Sequence, residues 1–144
     1  MKKVVLIAGL LVAGNLFAMT QFPAGNYHGK GHAVHQSGKN EKYLVESRVT
    51  GETIESTYRA GGELMKYAFQ ARFDKNGFFD VIMEGAKVGT GYCMSVWCHY
   101  SIRIGDFSLE ETLTFYQEHF YRLGQKTNDG KLISWEEDLE RDRD

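Results

Sequence analysis

The sequence predicts an all-β protein, a single antiparallel up-and-down β-barrel of about 8–10 strands, and three observations carry that prediction. Met65, Tyr67, Phe69, Ala71 and Phe73 alternate with Lys66, Ala68, Gln70, Arg72 and Asp74, the period of a strand with one wet face. Turn signals recur along the chain at Ser37-Gly38-Lys39-Asn40, Gly51-Glu52, Gly61-Gly62, Lys75-Asn76-Gly77, Gly105-Asp106 and Asn128-Asp129-Gly130. Hairpin registers inferred one at a time place the same residues on the inner face each time, the agreement between levels expected of a foldable chain. So many short strands must hide their edges, and a closed barrel does so.

The chain opens with Met1-Lys2-Lys3, an apolar run from Val4 to Val12, and small residues ending Leu16-Phe17-Ala18. That pattern predicts a signal peptide over 1–18, with a barrel domain over 19–144 in the periplasm or medium of a bacterium. The apolar run is too short to span a bilayer comfortably. Tyr27, Gly29, Gly31 and Ala33 share one face of the first strand, with His28, Lys30 and His32 on the other. Next, a type II′ turn at Gly51-Glu52 pairs Val49 with Ile54, Ser47 with Ser56 and Val45 with Tyr58. Gly61-Gly62 pairs Tyr58 with Met65, Ser56 with Tyr67 and Ile54 with Phe69. A three-residue loop with Gly77 at positive φ pairs Phe73 with Phe79, Ala71 with Val81 and Phe69 with Met83, where a two-residue Asn-Gly turn would put the faces out of phase. Gly85 marks a turn or bulge.

Cys93 and Cys98 flank Met94-Ser95-Val96-Trp97, read as a four-residue hairpin loop. Cross-strand neighbours lie close enough for a disulfide, which suits an oxidising compartment. Gly105-Asp106 then pairs Ile104 with Phe107, Ile102 with Leu109 and Tyr100 with Glu111. Residues 108–123 also fit an amphipathic helix, with Leu109, Leu113, Tyr116, Phe120 and Leu123 at helical spacing and Ser108 with Glu111 as a capping box. The Thr112-Leu113-Thr114-Phe115 run favours a strand there. Asn128-Asp129-Gly130 sets Leu123 against Trp135 and Gln125 against Ile133. A charged tail from about 137 is expected to fray.

The first strand's Gly25-Asn26-Tyr27 is similar to the Gly-x-Trp that opens the first strand of the calycin superfamily (lipocalins, fatty-acid-binding proteins and avidins), with Tyr in place of Trp. The resemblance covers most of the barrel domain in pattern. It implies a barrel that often holds a small apolar ligand.

Several function classes are excluded by composition. The formal net charge is −2, and no basic stripe exists to neutralise phosphates, so no nucleic-acid partner is expected. Glu46, Arg48, Glu55, Lys66, Arg72, His99 and Arg103 face outward, which opposes a membrane-embedded barrel. His28 and His32 share a face but stand roughly 13 Å apart at ~3.3 Å per residue, and His35 falls on the other face, so no metal site is expected. No nucleophile–base arrangement or phosphate-binding glycine loop is present. The protein is therefore expected to be no enzyme and to need no cofactor. Glu111 is the anomaly, a carboxylate pointing inward that must be paired, protonated or wet. With Tyr58, Tyr67, Tyr100, Tyr121 and Trp135 it forms the candidate ligand site, an apolar wall with a few polar contacts. The expected function is an exported soluble barrel binding a small, largely apolar ligand. The alternative is a filled barrel acting as a structural or interaction module, with an envelope protein as partner.

Overall fold

The computed structural model describes residues 18–143; the expected leader, Ala18 apart, lies outside the described residues. Ten antiparallel strands close on themselves in chain order. They are β1 (Gly25–His35), β2 (Asn40–Val49), β3 (Thr53–Ala60), β4 (Glu63–Phe73), β5 (Phe78–Met83), β6 (Ala86–Met94), β7 (Trp97–Ile104), β8 (Phe107–Tyr116), β9 (His119–Asn128) and β10 (Lys131–Arg141). β1 pairs with both β2 and β10, which closes the wall.

Three hairpins between β2 and β5 form as the alternation predicts. Val49 faces Ile54, Tyr58 faces Met65, and Phe73 faces Phe79 across a loop in which Gly77 has φ +85°. The one departure is at Gly51-Glu52. Neither residue has positive φ, so the turn is not type II′. Thr50 holds it instead, its Oγ1 accepting from the Glu52 and Thr53 amides. The turn or bulge expected at Gly85 is a turn, with Glu84 at φ +50° and Gly85 at φ +81° between Met83 and Ala86, and a separate register shift falls between Val81 and Ile82 of β5.

Cys93 and Cys98 are directly opposed and joined in a disulfide. Met94 pairs with Trp97, so the connecting turn has two residues, Ser95 and Val96, rather than the four expected.

The segment 108–123 is two strands and a turn, and no helix occurs among the described residues. Helical spacing was a local coincidence. β7 already pairs with the start of β8 from Ile104–Phe107 onward, and a helix would strip that ladder of its partner. Gln117, at φ +54°, turns the chain so that Phe115 faces Phe120.

The C-terminal segment corrects the sequence reading most. The stretch from 137 does not fray: β10 continues to Arg141, paired with β9 and β1. Its charges alternate outward beside the basic face of β1, with Lys30 opposite Asp138 and His32 opposite Glu136. Opposite charges across a ladder favour that pairing modestly. The last hairpin is also one residue out from the expected register. Trp135 faces Gly124 and Leu123 faces Glu136, which turns Leu123 outward and Arg122 inward.

The core fills one end of the barrel. Phe22, from the segment preceding β1, enters this end and is 1% exposed. Its ring meets Phe73 at 5.1 Å and Phe79 at 5.9 Å between centroids. Its amide donates to the Gly51 carbonyl at 2.8 Å. Met19 packs beside it, its Sδ 3.7 Å from Cys98 Sγ.

Candidate functional site

Above the aromatic floor the interior turns polar. Arg122, from β9, is its centre and is almost wholly buried. Its Nε and Nη2 donate to Glu111 Oε1 at 3.1 and 2.7 Å. Its Nη1 donates to Ser56 Oγ at 2.7 Å and to the Tyr58 hydroxyl oxygen at 2.9 Å. The guanidinium also stands 5.6 Å above the Phe120 ring, a favourable place for a cation. Burial works against its charge, but Glu111 first, then Tyr58 and Glu137, hold it, and its pKa is raised well above the usual guanidinium value.

Glu111 is paired at both oxygens. Tyr100 donates to Oε1 at 2.8 Å, and Trp135 Nε1 donates to Oε2 at 2.7 Å. Tyr67 lies 3.2 Å from the Tyr100 hydroxyl. Because Tyr100 donates to Glu111, the Tyr67 hydroxyl is left to donate to Tyr100. Burial pushes the Tyr67 hydroxyl up to about 12 and the Tyr100 hydroxyl well above its ordinary value. These phenols stay protonated, as donors to a carboxylate must.

Glu137, on β10, is the third buried charge. Tyr43 donates to its Oε1 at 2.9 Å, and Arg122 Nε stands 3.5 Å from its Oε2. That second oxygen has no hydrogen-bond donor among the described residues. Burial raises the carboxyl to about 6, and Glu111 adds to the rise against Arg122 and Tyr43. Two glycines make room for the rings above this layer. A Cβ at Gly31 would overlap the Tyr43 ring, and one at Gly124 would overlap Trp135.

Beyond the polar layer the barrel opens. Along the inner faces exposure climbs from none at Tyr100 and 2% at Ile102 to 49% at Ile104, the next inward residue of β7. On β4 it climbs from buried Phe69 to 55% at Met65. Tyr43, Tyr58, Tyr67 and Trp135 stand half-buried between the two regimes.

Five of the six site residues singled out in the sequence, Tyr58, Tyr67, Tyr100, Glu111 and Trp135, therefore meet in one network. Tyr121 does not. It is 39% exposed on the outer wall and stacks on His119. The sequence reading missed Arg122, Glu137, Tyr43 and Ser56. Pairing Phe115 with Phe120 across a two-residue turn would have carried the inner face through to Arg122. Reading Trp135 and Leu139 as one face would have included Glu137.

His28 lies 2.5 Å from Asp142 and His35 3.1 Å from Glu41. Among the described residues no group of three or more His, Cys, Asp or Glu side chains could hold a metal ion.

Neither a protein-family model nor a curated protein sequence matches the chain. Among solved structures it is similar to an S-type phycobiliprotein lyase from Guillardia theta, with TM-score 0.56 and 11% identity over 84% of this chain and 89% of that one. It is also similar to a protein of unknown function from the DUF3598 family of Nostoc punctiforme, with TM-score 0.61 and 10% identity. That match covers 85% of this chain and 51% of the other, so the present chain spans about half its length. One structure with this fold is thus named a lyase, and the expectation that the protein is no enzyme is withdrawn. The physical reason is plain in the polar layer. Ionisable groups from β2, β3, β4, β7, β8, β9 and β10 meet in space without forming any motif in sequence, so a missing motif does not exclude chemistry. At these identities the likeness is one of fold alone, that of a closed barrel, which in this chain has ten antiparallel strands.

Proposed function

We propose that this protein binds a small, largely apolar molecule in the open end of its barrel, seated on the polar layer. The observation that carries the reading is the exposure gradient along the inner faces. Met65 and Ile104 are inward residues by register yet half exposed, so one end presents apolar side chains around a mouth. Tyr58, Tyr67 and Trp135 form its floor, the few convergent polar groups typical of ligand sites. The likeness to a lyase barrel supports a small-molecule role at the level of fold. Export belongs to the same proposal and is supported by the Cys93–Cys98 disulfide, a bond that persists in oxidising compartments. Native mass spectrometry of the protein from its own cells tests the reading. A co-purifying small molecule is expected; apoprotein that also fails to bind apolar dyes would overturn it.

A second reading, an interaction module, rests on a different observation. Phe78, Tyr92, Met94 and Val96 are exposed on the outer wall of β5, β6 and the turn into β7. Tyr92 packs edge-on against Trp97 with centroids 5.5 Å apart. A contiguous exposed aromatic stripe is a feature of interaction surfaces. Loss of a co-purifying protein on changing Tyr92 and Phe78 to Ser, with ligand binding kept, would favour this reading.

A further inference from the structure

The polar layer holds two carboxylates and one guanidinium. Glu111 has donors at both oxygens, from Arg122, Tyr100 and Trp135. The guanidinium is engaged at each of its three nitrogens, by Glu111, Ser56 and Tyr58. Glu137 is different. Its side chain is 1% exposed, and one oxygen takes the Tyr43 proton. The other stands in an ion pair 3.5 Å from Arg122 Nε but accepts no hydrogen bond among the described residues. A buried acceptor without a donor costs about 1–3 kcal/mol, and more when charged. Such groups in native structures call for an explanation, and an incoming donor is one.

The same geometry speaks against the opposite chemistry. A carboxylate ligand entering this layer would meet two carboxylates and a guanidinium already engaged at every nitrogen. It would add a third negative charge to a low-dielectric interior, where like charges repel strongly.

From this we infer that the interior ligand carries a hydrogen-bond-donating head, an amine or comparable N–H group, which binds Glu137 Oε2, and that apolar carboxylic acids are rejected. The inference rests on the reading of an interior ligand site and adds the chemical class of the ligand. Glu137 would be the residue that selects the head group, with Tyr43 holding its carboxylate in place through Oε1.

The test is competition against Nile red, a neutral dye without N–H donors, at neutral pH. Decylamine, decanol and decanoic acid share one apolar chain and differ in the head. Decylamine is expected to displace the dye at about tenfold lower concentration than decanoic acid, the factor that one hydrogen bond to a charged group supplies. Glu137→Gln should weaken decylamine about tenfold and abolish the preference. A residue with a merely structural role would weaken all three compounds alike. Equal or tighter binding of decanoic acid by the unaltered protein overturns the inference, as does a preference that survives in Glu137→Gln. If Nile red does not bind, or none of the three compounds displaces it, the interior site itself is refuted and the head-group inference falls with it.

Discussion

The two ends of this barrel are built from the same strands with the same alternation, yet they do different things. At the closed end, inward residues such as Phe69, Phe79, Phe115 and Leu113 are buried against each other and against Phe22. At the open end the inward residues of the same strands, Met65 on β4 and Ile104 on β7, are half exposed. Alternation alone cannot distinguish these ends, because it states which wall a side chain faces and not how far the interior is filled. Phe22 and the aromatic rings around it seal one end from outside the ladder. Nothing comparable covers the other end among the described residues.

The polar layer divides the two regimes. Burying two carboxylates and a guanidinium is costly, and their mutual attraction repays that only with good geometry. Here most of the geometry is supplied: Glu111 is saturated with donors, and Arg122 bridges it to Ser56 and Tyr58.

The sharpest way to break the contrast is to remove the cation at the divide. Arg122→Leu leaves Glu111 and Glu137 buried together, and a loss of about 3–5 kcal/mol in urea unfolding is expected. A loss below about 1 kcal/mol would mean that the layer is already hydrated.

Next in size is the plug. Phe22→Ala should cost about 3 kcal/mol, the range for a buried aromatic cut to alanine. It should also let Nile red bind at the closed end, raising the number of dye sites. Unchanged stability would show that Phe22 does not seal the floor.

The third prediction concerns pH. The Glu137 carboxyl is held up to about 6, by burial above all, so the folded protein keeps that proton to higher pH than the unfolded chain does. Its stabilising contribution is therefore full below the ordinary glutamate value and lost as pH rises through about 6, on the order of 2 kcal/mol. Glu137→Gln should accordingly be more stable than the unaltered protein at neutral pH, and the two unfolding curves should converge in acid. Parallel curves across that window would place the titration elsewhere.

Reduction of Cys93–Cys98 comes fourth. The loop it closes spans a sequence separation of only 5, and the entropic contribution grows with loop length. Its loss should therefore cost less than the usual ~2–4 kcal/mol, read as a small fall in Tm with reductant. At the open end, Met65→Ala should change stability by no more than about 0.5 kcal/mol, since the side chain is already wet. It should nonetheless alter Nile red affinity. A larger stability loss there would mean that the mouth is packed.

Much of this molecule follows from the sequence alone. Period-2 alternation and turn residues determine the hairpins from β2 to β5 and from β7 to the first half of β8, because each of these is closed by a short loop whose length sets register. Glu111 stood out for the same reason: its pairing with Tyr100 is fixed by the Gly105-Asp106 turn. What the tertiary structure decided lies after residue 108. There the local pattern fits a helix as well as a strand, and only the ladder offered by β7 resolves it. The acidic residues of β10 look like a solvated tail until β1 stands beside them, because cross-strand charge pairs and barrel closure join residues more than a hundred positions apart. A one-residue register change in the last hairpin then turns Leu123 out and Arg122 in. With a side-chain period of two, that single step decides whether the interior holds an apolar residue or the cation around which the whole polar layer is organised.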